Sequence, residues 1–165
     1  MKKVIYLFLA LLLPGLIFVF LKYGGRNQFD VPVFYEQGVA DVPEGCQQLE
    51  GQPYVIPDSL WRLSGASQST PVVIVFTKGG INNKALEAAI DDELGKGSVS
   101  FLSESGLTTD SLLATKWRKC VFMAIEPQQT VLVDSLGRIR GYYDVRLREE
   151  VDRLRLELKI VLERY

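Results

Sequence analysis

Histidine is absent from the 165-residue chain, and cysteine occurs only twice, at Cys46 and Cys120. Losing the imidazole removes the commonest general base and the commonest transition-metal ligand, which limits the available chemistry severely. Neither charge is in excess: 19 Lys and Arg stand against 20 Asp and Glu, with no basic patch or tail. A nucleic-acid partner is therefore not expected, because phosphate backbones are held by concentrated positive charge. Internal repeats and low-complexity tracts are lacking too.

Long apolar runs are equally scarce, and there is only one. Residues 4–21 carry no charge, and at ~1.5 Å rise per residue such a helix just crosses a ~30 Å hydrocarbon layer. Pro14 and Gly15 weaken it in the middle, a break that membrane helices tolerate. The competing reading is a cleaved signal peptide, with Lys2 and Lys3 as its charged start. Against it, Val19-Phe-Leu-Lys22 offers no small-x-small cleavage site, and no cysteine follows to carry a lipid. The expectation is an uncleaved transmembrane anchor over residues 4–21. Lys2 and Lys3 lie before it, Lys22 and Arg26 after it, so the positive-inside bias favours a cytoplasmic N-terminus only slightly.

Roughly 140 residues remain beyond the anchor, enough for one domain with a real core. Residues 22–70 read as an extended segment. Pro32 demotes the strand-like run Phe29-Asp-Val-Pro-Val-Phe-Tyr35 to an edge or to no strand. Gly38, Pro43, Gly45, Gly51 and Pro53 then punctuate a loop-rich stretch. The folded domain is expected over residues 71–165. Its first run, Val72-Val-Ile-Val-Phe76, has the pattern of a central strand buried on both faces. Asn82 or Asn83 caps a helix over 84–94, a second strand follows at 98–102, and a short helix at 108–117. Strand, helix, strand, helix implies right-handed crossovers and parallel partners flanking the first strand. Residues 130–134 and 138–143, joined by Ser135-Leu-Gly137, read as an antiparallel hairpin. The chain closes on an amphipathic helix whose stripe is Leu147, Val151, Leu154, Leu158 and Val161. Glu149–Arg153 and Lys159–Glu163 are i,i+4 pairs on its polar side.

This order is that of a thioredoxin-like α/β domain: a central sheet with flanking helices, preceded here by one transmembrane helix. The residues resemble the Sco/SenC family, membrane-anchored copper chaperones of cytochrome oxidase assembly. The strongest match is Val131-Leu-Val-Asp-Ser-Leu-Gly-Arg-Ile-Arg-Gly-Tyr-Tyr-Asp144, which looks like the family's hairpin. The helix after it, residues 27–35 and Tyr54-Val-Ile-Pro-Asp58 are similar to the family's closing helix and its leading segment in some bacterial members. The resemblance implies a site built from a Cys-x-x-x-Cys loop after the first strand and a histidine before the hairpin. Two thiolates and an imidazole suit copper, and a dithiol also exchanges disulfides. In this chain the matching register puts Gly79 and Asn83 at the cysteine positions and Glu126 at the histidine position. All three ligands are gone.

Other residues offer weaker chemistry. Cys120 and Met123, with Cys46, are soft donors for Cu(I), but a buried Cys and Met on an apolar strand, as 120–123 reads, are more often core. Cys46 and Cys120 form a disulfide in an oxidising compartment or stay as two buried thiols; the sequence leaves both open. The cluster Asp91-Asp-Glu93 reads as a solvated helix face. Gly79 and Gly80 before a helix suggest backbone N–H groups facing an anion, with Lys78 nearby, but no phosphate-loop motif accompanies them.

The functional expectation is a Sco/SenC-like protein without a redox or copper site, with no cofactor and no enzymatic activity. It is a binding or assembly factor linked to respiratory oxidase biogenesis, with a protein partner the sequence does not name. Its expected place is the bacterial inner membrane, single-pass, with the C-terminal domain facing the periplasm. Two alternatives stay open: an active copper-delivery or thiol-redox protein using non-standard ligands, and an envelope interaction module unrelated to respiration.

Overall fold

The computed structural model describes residues 3, 12–20, 22, 30–47, 49–64, 69–76, 83–127 and 129–164. The chain divides into two compact units, Met1–Asp30 and Val31–Tyr165. In the first, residues 12–20 are helical, and Leu12, Leu13, Leu16, Ile17, Phe18, Val19 and Phe20 all expose their side chains. Among the described residues no helix is long and apolar enough to cross a membrane. Half of the expected anchor, residues 4–11 together with 21, lies outside them.

The second unit is mixed α/β. Its elements are α1 (Asp58–Ser64), β1 (Val72–Val75), α2 (Asn83–Leu94), β2 (Ser100–Ser103), α3 (Glu104–Leu107), α4 (Ser111–Cys120), β3 (Thr130–Val133), β4 (Ile139–Tyr143) and α5 (Arg148–Arg164). The four strands form one sheet in the order β2-β1-β3-β4. Successive side chains of β1 point to opposite faces, and both faces are covered. Val72, Ile74 and Phe76 pack with Leu60, Trp61, Leu107 and Phe122 on one side. Val73 and Val75 pack with Leu86, Ile90, Leu154, Leu158 and Val161 on the other. Helices α2 and α5 therefore cover one face, and α1 and α3 help cover the opposite one.

Parallel partners flanking β1 on both sides were the expectation, and the sheet corrects it. β2 runs parallel to β1, while β3 runs antiparallel, with Val75 opposite Thr130. Segment 121–129 delivers the chain to the sheet end where β1 leaves, so β3 must run back along it. The hairpin β3–β4 is antiparallel as its sequence indicates, with a register shift at Leu132/Val133.

The short helix begins later than its spacing suggests. The Asp110 carboxylate accepts from the backbone N–H groups of Leu112 (2.9 Å) and Leu113 (3.2 Å), so α4 starts at Ser111. An N-cap carboxylate satisfies donors that the first turn leaves open. In α5 the buried stripe is Leu154, Leu158 and Val161; Val151 is half-buried and Leu147 is exposed. Leu147 belongs to the turn, where its N–H donates to Asp144 O (2.9 Å), and the helix begins one residue later. Arg153 pairs with Glu150 (3.0 Å) and Glu157 (3.6 Å) rather than with Glu149. Its guanidinium also lies 4.7 Å from the centre of the Tyr143 ring, a cation–π contact.

The extended segment contributes to the core. Val31, Tyr54, Ile56, Leu60 and Trp61 are buried. Phe34 N–H donates to Ile139 O (2.8 Å) and Ile56 N–H to Gly137 O (2.9 Å), so this segment lines the hairpin. No strand forms among the described residues of 30–57. The hairpin turn is fixed by Asp134, whose carboxylate accepts from the N–H groups of Leu136 (3.0 Å) and Arg138 (2.9 Å). Gly137 there has φ +76°, and a Cβ would come within 3.0 Å of Val55 Cγ1. Glycine is the residue that meets both demands without strain.

Candidate functional site

The last residues of β1 and the first of β3 meet at one end of the sheet. Val75 and Thr130 are partners across β1 and β3, and Phe76 N–H donates to Gln129 O (2.7 Å). The end of β1 and the start of β3 therefore lie side by side, and residues 77–82, among which the family's first ligand was expected, are outside the described residues. Gly79 lies outside the described residues, and Asn83 is the first residue of α2. Glu126 is exposed, and its Oε1 lies 3.5 Å from Arg118 Nη2. Arg118 is anchored by a bond from its Nε to Ala124 O (3.3 Å). Glu126 thus balances a cation from α4.

The remaining candidates fall elsewhere. Met123 is a core side chain beside Phe122 and Tyr142. Glu93 of the acidic cluster pairs with Arg155, tying α2 to α5. Among the described residues no three Cys, Asp or Glu side chains converge as metal ligands. Cys46 and Cys120 are bonded to each other, with their Cα atoms 5.4 Å apart. Of the two states the sequence left open, the structure has the disulfide.

A groove of about 230 Å³ runs beside that bond, lined by Gln47, Leu49, Leu113, Lys116, Trp117, Cys120 and Val121. One wall is the loop carrying Cys46; the other is one face of α4. Leu113, Trp117, Cys120 and Val121 stand at helical spacing of three and four. Ending the helix at Trp117, as the sequence suggested, cuts this stripe and hides it. The signal was present in the spacing Leu113–Trp117–Val121.

Tyrosine hydroxyls fasten the groove's lower end. Tyr54 O–H donates to Val121 O (3.0 Å) and Tyr142 O–H to Phe122 O (2.8 Å). Phe34 meets the Tyr142 ring edge-on at 5.1 Å, and Tyr35 meets Tyr54 edge-on at 6.4 Å. Burial pushes the Tyr54 hydroxyl up to about 12, with the neighbouring Tyr35 adding to it. Burial also raises Tyr142, helped by its hydrogen bond with Tyr35. These hydroxyls stay protonated near neutrality and serve as donors, not as bases.

Fold and site together define a mixed α/β domain with a covalently fastened loop over one helix. No protein-family model, curated protein or solved structure matches the chain.

Proposed function

We propose that the chain is a membrane-held, extracytoplasmic binding domain on a thioredoxin-like scaffold, without a redox or copper site at the scaffold's usual place. The observation that carries this reading is where the thiols are. Both cysteines are joined to each other at α4, so none stands at the end of β1, and such bonds persist in oxidising compartments. The scaffold reading is supported by the sheet order β2-β1-β3-β4, with β3 alone antiparallel, and by helices on both faces. The anchor reading is supported by the exposed apolar side chains along helical residues 12–20. Such a row is costly in water and favourable in hydrocarbon.

The narrower reading is a degenerate Sco/SenC-like assembly factor of respiratory oxidases in the bacterial inner membrane, resting on the hairpin resemblance. Its partner is a protein, bound without covalent chemistry, at the sheet end that carries Asn83 and Glu126. A reporter active only outside the cytoplasm, fused after Tyr165, is expected to be active, and a cytoplasm-only reporter silent. The reverse pattern would overturn both the topology and the oxidising environment assumed for the disulfide.

A further inference from the structure

The loop of residues 36–53 is closed at its neck and fastened at its tip. At the neck, Tyr54 N–H donates to Tyr35 O (3.0 Å). Between those two residues none of the described positions is buried. Val39 and Leu49 rest partly buried against the core, and Lys119 Nζ donates to Glu44 O (2.7 Å) in an exposed setting. The strongest fastening is the Cys46–Cys120 bond. Both its residues are only half-buried, and Cys120 lines the open groove.

We propose that this bond is a thiol–disulfide exchange site for a dithiol, and that its reduction opens the loop and uncovers the apolar face of α4. A disulfide core to a fold is normally inaccessible; this one borders solvent beside a groove wide enough to admit a thiol. Attack through the groove puts the incoming sulfur on Cys120 and releases Cys46 as a thiolate, which takes up a proton. The second thiol of the reagent then displaces Cys120, leaving two protein thiols and one reagent disulfide, with two electrons and two protons transferred. Freed at Cys46, the loop regains the chain entropy that the cross-link withheld. Among the described residues, one exposed lysine bond and the partial contacts of Val39 and Leu49 oppose that gain, and an exposed bond contributes little. Departure of Gln47 and Leu49 leaves Leu113, Trp117 and Val121 facing water, a surface suited to an apolar partner segment. No described residue of the loop is among the buried core residues on either sheet face.

The loop contains Glu36, Glu44 and Glu50 but no Lys or Arg, so a glutamyl endopeptidase reports its release. The full chain in detergent micelles is treated with dithiothreitol at neutral pH, without denaturant. Two thiols are expected to titrate, and cleavage at Glu44 and Glu50 to accelerate by about tenfold or more, as for a locally opened segment. Far-UV circular dichroism should hold, and tryptophan emission should shift red in the parent chain but not in Trp117→Phe. Cys46→Ser/Cys120→Ser should reproduce the open behaviour without reductant. Three results would overturn the proposal: thiols that appear only in denaturant, cleavage unchanged after both thiols titrate, or loss of helical signal on reduction. The last would make the bond a staple of the whole fold. None of these readouts depends on the topology or on the copper question.

Discussion

Leu154→Asp is expected to abolish the cooperative melt of the domain. Leu154 is fully buried on α5, in the cluster with Val73, Val75, Leu132, Leu158 and Val161. Removing a buried leucine side chain costs about 2–5 kcal/mol through lost transfer energy and the cavity left behind. A carboxylate in the same apolar site adds a desolvation cost with no partner to offset it. Together these rival the ~5–15 kcal/mol that holds a typical domain folded. Leu156, two residues on, is 64% exposed, so Leu156→Asp should change the unfolding free energy by no more than ~0.5 kcal/mol. Urea titrations followed by circular dichroism separate the two. Equal melts for both variants would mean that the faces of α5 are assigned wrongly.

Asp134→Ala is expected to cost about 3–5 kcal/mol, large for a turn residue. Asp134 sits 2.7 Å from Arg138 Nη2 and 3.5 Å from Arg140 Nη1, and the side chains of Asp134 and Arg140 are fully buried. Truncating the carboxylate takes away an anion that faces the buried Arg140 cation and removes the oxygen that accepts from both turn N–H groups. Arg140→Met in the same chain should recover part of the loss, because no buried cation then loses the Asp134 carboxylate. A double-mutant cycle in urea measures this. Additive losses would show that the two side chains do not act as a pair.

What the sequence made legible follows from how each signal is written. The β-branched run at β1, the hairpin around Gly137 and the Leu154–Leu158–Val161 stripe all express one periodicity over several residues, and each stands in the structure. The antiparallel placement of β3 was not legible, because strand direction depends on where segment 121–129 delivers the chain. Nor was the packing of residues 31–61, where Pro and Gly mask a segment whose Tyr54, Ile56 and Trp61 are core. The start of α4 was misplaced by competing caps: Thr108 and Asp110 both suit the position, and Asp110 takes the N–H groups. Of the site residues, Glu126 was singled out by alignment to a lost ligand, and what it meets in the structure is Arg118. With two cysteines in the chain, Cys120 was the one partner the sequence offered Cys46; whether the bond forms was not legible, since separation along a chain carries no distance information.

The scaffold proposed for this domain is a thioredoxin-like one that has lost its ligands. It is tested most directly by putting them back. Gly79→Cys, Asn83→Cys and Glu126→His, made together in the Cys46→Ser/Cys120→Ser background, leave the introduced thiols as the only ones in the chain. Copper binding is read by competition with a calibrated Cu(I) chelator, with the background chain as baseline. One tightly held Cu(I) per rebuilt chain and none in the background is expected, because two thiolates and an imidazole form a site suited to that ion. A rebuilt chain with unchanged circular dichroism that captures no copper would contradict the proposed scaffold.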